Sequence, residues 1–102
     1  MTITNVAFIR AKSGRGAELG GLLAELAPIS REEAGCIDFE LHRSVGEPDL
    51  WFVYEDWKSR NDLDQHFKTP HLLKFAEASA ALLDGEMDLR LFSKVAAASA
   101  KG

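Results

Sequence analysis

His66 and Trp57 are the two side chains in this sequence with the strongest case for catalysis. An imidazole with an ordinary pKa of about 6.5 exchanges protons at neutral pH, which makes His66 the leading acid or base. It stands just before a helix restart at Thr69-Pro70, where a side chain can reach a cavity; the plainer role is a half-buried histidine bonded to a backbone carbonyl. Trp57 ends a strand, and its flat indole either walls a site for a planar ring or fills the core or a subunit contact. Phe52, Tyr54 and Phe67 are the aromatic candidates for holding that ring, with the Tyr54 hydroxyl available to bond an oxygen and core packing as the alternative. His71 lies in the first turn of the restarted helix and serves either a ligand or the neighbouring backbone. Arg90, on the last strand, suits a phenolate or a phosphate, or else a surface ion pair.

Other chemistries find less support. His66 and His71 are five residues apart across a helix break, which is not the i, i+4 pair that two metal ligands on one helix need. No cysteine or carboxylate completes a set with them along the sequence, so no metal is expected. Asp38 and Glu40 share a strand face, as a carboxylate pair would, but nothing else supports a pair and a solvated or interfacial row is the plainer account. His42 on that same polar face fits an interface, and Cys36 reads as a small buried residue. No nucleophile elbow, P-loop or dinucleotide fingerprint appears, and no cofactor is expected.

The elements that must position these residues follow from periodicity. Ile3 to Ala11 alternates as a strand, with Ile3, Ala7 and Ile9 on one face and Val6 and Phe8 on the other. Leu19, Leu22, Leu23, Leu26 and Ile29 recur at helical spacing over about 16–34, with a kink or break expected at Pro28 and a stop at Gly35. Cys36 to Arg43 is a second strand, with Ile37, Phe39 and Leu41 turned one way and Asp38, Glu40 and His42 the other. A turn over 45–49 leads into a third strand, Leu50 to Trp57, with Phe52 and Tyr54 opposite Trp51, Val53 and Trp57. Ser59 caps a short helix carrying Leu63, His66 and Phe67; Thr69 and Pro70 start a second piece that runs to about Leu83. Met87 to Lys94 is the last strand.

Strand, helix, strand, strand, helix, strand is satisfied by an α+β fold, with both helical segments on one face of a four-stranded antiparallel sheet. The first and third strands are then central, and both are apolar on two faces; the second is an edge and is apolar on one. Helices cover only one side of such a sheet. The other would show water a large apolar patch, so a second copy of the chain is expected to cover it.

The chain has 102 residues, enough for one domain, expected over 1–95 with a small, polar tail over 96–102. Its hydrophobic fraction of 46% suits a packed globule, and its net charge of −4 argues against nucleic acid or an acidic membrane surface as partner. One cysteine makes no internal disulfide, and no segment has the run of about 18 apolar residues that spans a membrane. Met1 to Phe8 lacks the charged start and long apolar stretch of a signal peptide, so the cytoplasm is the expected location.

Four motifs carry a family resemblance. Glu32-Glu33-Ala34-Gly35-Cys36 resembles a Glu-x-Gly-Cys turn between first helix and second strand, with Ala34 where proline is usual, and Phe39-Glu40-Leu41 resembles the strand that follows. Glu55-Asp56-Trp57-Lys58-Ser59 is similar to a Glu-x-Trp-x-Ser motif, and His66-Phe67-Lys68-Thr69-Pro70-His71 to a His-x-x-(Ser/Thr)-Pro-His stretch. In order, and spanning roughly 3 to 92, they resemble the antibiotic biosynthesis monooxygenase domain family. The resemblance implies a ferredoxin-like βαββαβ unit that dimerises as an α+β barrel, with a pocket between helices and sheet. It implies a cofactor-independent monooxygenase of small aromatic or quinol-like compounds. The alternatives are an isomerase or lyase of a small phosphorylated or keto metabolite, anchored by Arg90, and a non-catalytic ligand-binding dimer. The haem-degrading branch needs an asparagine in the first strand; aligning Gly14 with the glycine after that strand puts Ala7 in its place and Asn5 one repeat too early.

Overall fold

Alternating side chains build strand β1 over Ile3–Arg10, with Asn5, Ala7 and Ile9 buried and Val6 and Phe8 half-buried on the opposite face. The computed structural model describes residues 2–95, and the tail expected over 96–102 lies outside them. Helix α1 spans Gly16–Arg31, strand β2 Cys36–Arg43, strand β3 Leu50–Trp57, helix α2 Arg60–His66, helix α3 Pro70–Ser79 and strand β4 Asp88–Ser93. The strands form one antiparallel sheet in the order β2-β3-β1-β4, so β1 and β3 are central as their two apolar faces require.

Three details differ from the sequence reading. Helix α1 is not broken at Pro28; it runs on to Arg31, where Glu32 N–H donates to the Ile29 carbonyl and Glu33 N–H to that of Ser30. A proline late in a helix forfeits one hydrogen bond, and Leu26 and Ala27 before it, with Ser30 after it, are buried and hold the last turn to the core. Ile37 does not share a face with Phe39, because a register shift between Cys36 and Asp38 inserts an extra residue there and leaves Ile37 exposed. Helix α3 stops at Ser79 rather than near Leu83, and Gly85, at φ 84°, turns the chain toward β4.

The core lies between the sheet and α1, with Leu19, Leu23 and Leu26 against Ala7, Val53 and Phe39. Helix α1 packs so near β3 at Gly20 that an added Cβ would run into the Trp51 ring. Trp51 is fixed there by its indole N–H, which donates to the Gly16 carbonyl at 2.8 Å. Gly20→Ala should therefore destabilise the fold by about 1–3 kcal/mol despite alanine's better helix propensity, as overpacking does. Urea denaturation measures it, and an unchanged or higher midpoint would show that the contact yields.

The second face of the sheet carries Val6, Phe8, Phe52 and Tyr54, all half-buried, and Phe92, 52% exposed. Phe8 and Phe52 meet edge to face at 5.3 Å, and the Arg90 guanidinium lies 5.3 Å above the Phe8 ring. No helix among the described residues is long and apolar enough to cross a membrane.

Candidate active site

The β1–β3 register sets Asn5 opposite Glu55, and Trp57 follows two residues on along the helix-covered face. Glu55 is 4% exposed. Its Oε2 accepts a hydrogen bond from the Asn5 amide at 3.2 Å, and its Oε1 accepts one from the Trp57 indole N–H at 3.0 Å. Those donors favour the carboxylate, but burial outweighs them and pushes the Glu55 pKa up to about 7. The Asn5 Oδ1, buried and lining the same space, has no hydrogen-bond partner.

Helix α2 brings His66 to this cluster. Ser59 caps the helix by accepting from the Asp62 N–H, Leu63 anchors it in the core, and His66 ends it at 1% exposure. The ring lies against Trp57, with centroids 4.6 Å apart, and its Nε2 is 3.9 Å from Glu55 Oε1. On the other side, Nδ1 is 2.7 Å from Glu33 Oε2, and the same oxygen is 2.7 Å from His71 Nε2. A carboxylate only accepts, so Nδ1 carries the His66 proton and Nε2 turns a lone pair toward Glu55. Burial lowers the His66 pKa, which Glu33 partly offsets, and the ring is neutral at pH 7.

These groups face a cavity of about 150 Å³ between the sheet, α1 and α3. Among the described residues, Asn5, Glu55 and His66 are the only polar side chains that line it; Leu23, Leu26, Phe75 and Met87 are among the apolar ones. Leu73 and Leu89, both roughly half exposed, also line it and place its opening between α3 and β4.

The structure brings together only part of the set named from sequence. His66 and Phe67 line the cavity. Trp57 adjoins it from behind: the indole is fully buried, stacks near His66 and holds Glu55, so it is not a wall for a substrate ring. His71 reaches the cluster through Glu33 and lies outside the cavity lining. Phe52 and Tyr54 are on the opposite face of the sheet, as the alternation within β3 requires, and do not share the cavity. Arg90 pairs with Val6 on that opposite face and is bonded to Asp88 at 2.8 Å, so it anchors nothing in the cavity. Asn5, rather than Ala7, presents an amide to the polar cluster. The ground for excluding a metal also changes, because the Glu33 carboxylate does complete a set with His66 and His71.

The profile of the antibiotic biosynthesis monooxygenase family matches residues 2–78. The chain belongs to that family. It is 30% identical to the Synechocystis protein sll1783 over 84 residues, which are 82% of this chain and 57% of that protein, so the match spans little more than half of the relative's length. The crystal structure of PA3566 from Pseudomonas aeruginosa superposes with a TM-score of 0.88 at 30% identity, covering 93% of this chain and 95% of that one. SnoaB from Streptomyces nogalater, described as a cofactor-independent oxygenase, superposes with a TM-score of 0.79 over 91% of this chain and 92% of its own. Its 20% identity makes that a likeness of fold. The family's ferredoxin-like fold is the one described above, and the family motifs in this chain supply Glu33, Glu55, Trp57, His66 and His71.

Proposed function

We propose that the cavity is the active site of a cofactor-independent monooxygenase acting on small, single-ring phenols or quinols. The observation that carries this is the cluster of Asn5, Glu55 and His66, the sole polar side chains among the described residues lining an otherwise apolar cavity of about 150 Å³. An engineered apolar cavity of about 150 Å³ takes up benzene, so one ring is the size that fits. A hydroxyl on that ring has a waiting acceptor in Asn5 Oδ1 and a proton acceptor in Glu55. The family's name and the SnoaB description support oxygen chemistry on this fold.

Glu55 takes the phenolic proton, with the neutral His66 beside it, and the ring becomes an electron-rich phenolate. The phenolate passes one electron to oxygen, and the resulting radical pair joins at a ring carbon to form a hydroperoxide. The O–O bond then breaks with loss of water and leaves one oxygen on the ring. Hydroquinone plus one O2 thus gives hydroxybenzoquinone plus one water, the substrate being its own reductant. Apolar walls keep water from the intermediates. With a panel of substituted hydroquinones and phenols, an oxygen electrode should record uptake above the uncatalysed rate, saturating with substrate. A trace no steeper than buffer alone across the panel would end this reading.

The isomerase or lyase reading loses its proposed anchor, since among the described residues no lysine or arginine lines the cavity and Arg90 is on the far face. The functional unit in this proposal is a homodimer in which a second copy covers the Phe8–Phe52 face of the sheet.

A further inference from the structure

We propose that Glu33, His66 and His71 form a binding site for one divalent transition-metal ion, of which zinc is the type, outside the cavity. Three ligand atoms from three segments converge there: Glu33 Oε2 from the turn after α1, His66 Nδ1 from the end of α2 and His71 Nε2 from the start of α3. All lie within 4.8 Å of one another. Two imidazoles and a carboxylate are a zinc ligand set, whereas calcium and magnesium prefer oxygen throughout. Three protein ligands leave a fourth position, and the side chains of Glu33 and His71, 15% and 18% exposed, leave that side open to a water.

The scaffold holds the two rings in place. The Thr69 backbone N–H and hydroxyl both donate to the His66 carbonyl, at 3.2 and 2.7 Å, and the Thr69 hydroxyl caps α3 with Pro70 as its first residue. His66 and His71 are thereby fixed relative to each other, and Glu33 is the ligand that adjusts. Bonds of about 2.0–2.1 Å in a tetrahedral site set ligand atoms ~3.3 Å apart. The carboxylate oxygen, now 2.7 Å from each ring nitrogen, has to withdraw by roughly half an ångström along its own torsions.

Glu55 flanks the other side of the His66 ring, beyond hydrogen-bond distance as it stands. An ion on Nδ1 shifts the His66 proton to Nε2, which is 3.9 Å from Glu55 Oε1. Carboxylate, imidazole and metal in that order is how metal-bound histidines are usually oriented. Glu33 and His71 do not line the cavity, so the ion would not touch a ligand there. It would instead pin the α1 turn to the α2–α3 junction and set which nitrogen of His66 bears hydrogen.

Isothermal titration of zinc chloride into the full chain, first stripped with a chelator, should show one zinc per chain. His71→Ala and Glu33→Gln should each weaken binding more than about tenfold. His42→Ala and Cys36→Ser, which remove the remaining histidine and the thiol, should leave it unchanged. Ring nitrogen–proton correlation spectra should show zinc moving the His66 proton from Nδ1 to Nε2, a signature that general loss of structure does not produce. The site is refuted by the absence of saturable binding, by any other stoichiometry, or by binding that survives His71→Ala or depends on His42.

Discussion

Glu55→Gln should remove nearly all oxygen uptake and, at the same time, make the protein more stable at pH 8. Glutamine has the shape of the carboxyl group but takes no proton from a phenol, and losing a positioned base costs about 10²–10⁴-fold in rate. The amide is nonetheless well accommodated. Its oxygen accepts from the Trp57 indole in place of Oε1, and its NH2 meets Asn5, whose partnerless Oδ1 becomes the acceptor when that amide turns over. The gain in stability follows from the proton. The folded-state pKa of Glu55 is about 7, against 4.5 for an unperturbed group, so between those values the native chain binds more proton than the unfolded one. Stability attributable to this residue therefore falls as pH rises through that window and stays low above it, by on the order of 3 kcal/mol for a shift of this size. Urea midpoints of wild type and variant should coincide near pH 4.5, separate toward pH 7 in the variant's favour, and run parallel beyond. A variant with the wild-type rate would place the base elsewhere. A stability difference that ignores pH would show that the carboxyl group is not held protonated by burial.

The same residue shows where a sequence is readable and where it is not. Glu55 stands between Val53 and Trp57 on the row of β3 that faces the helices, so the alternation that assigns those neighbours to the core assigns it there as well. A carboxylate in the buried row of a central strand is itself the signal of a site, and Asn5 in the row Ile3, Ala7, Ile9 is a second one directly across from it. Aromatic type drew attention instead to Phe52 and Tyr54, which period-2 geometry excludes from the space beside Trp57. Arg90 fell to the open face through its pairing with Val6, a register that hydrophobic pattern alone does not fix because β4 is exposed along its whole length. Glu33 fell at the end of the expected first helix, beyond its apolar stripe, where periodicity says nothing about what it meets. It lies in a turn, and only the packing of α1 against α3 brings that turn to His66 and His71. The topology needed less: two strands apolar on both faces had to be central, and caps at Ser59 and Thr69 divided the second helical segment where the structure divides it. The bulge at Ile37 was invisible because an inserted residue leaves the alternation on either side intact.

Phe52→Asp should convert the protein to a folded monomer. Phe52 is central on the sheet face that no helix among the described residues covers, 5.3 Å from Phe8 and 5.1 Å from the His42 ring, and half-buried within one chain. Covering a few hundred Å² of this aromatic surface gains on the order of 10 kcal/mol gross, comparable to the ~4–15 kcal/mol lost when two chains become one particle. A twofold contact places each residue in the interface twice, so the substitution introduces two carboxylates that must lose water without a partner, at several kcal/mol each. In the separated chain the same aspartate keeps its hydration, and the core on the other face, around Val53, Trp57 and Leu23, is untouched. Sedimentation velocity at micromolar concentration should thus give a dimer for wild type and a monomer for the variant, with similar helical content by circular dichroism. The cavity lies on the opposite side of the sheet, so hydroquinone should still bind the monomer, with any loss of rate reporting how far the partner steadies β1 and β3 behind Asn5 and Glu55. A wild-type chain that sediments as a monomer, or an aspartate variant that still pairs, would mean that something other than a twin sheet covers this face.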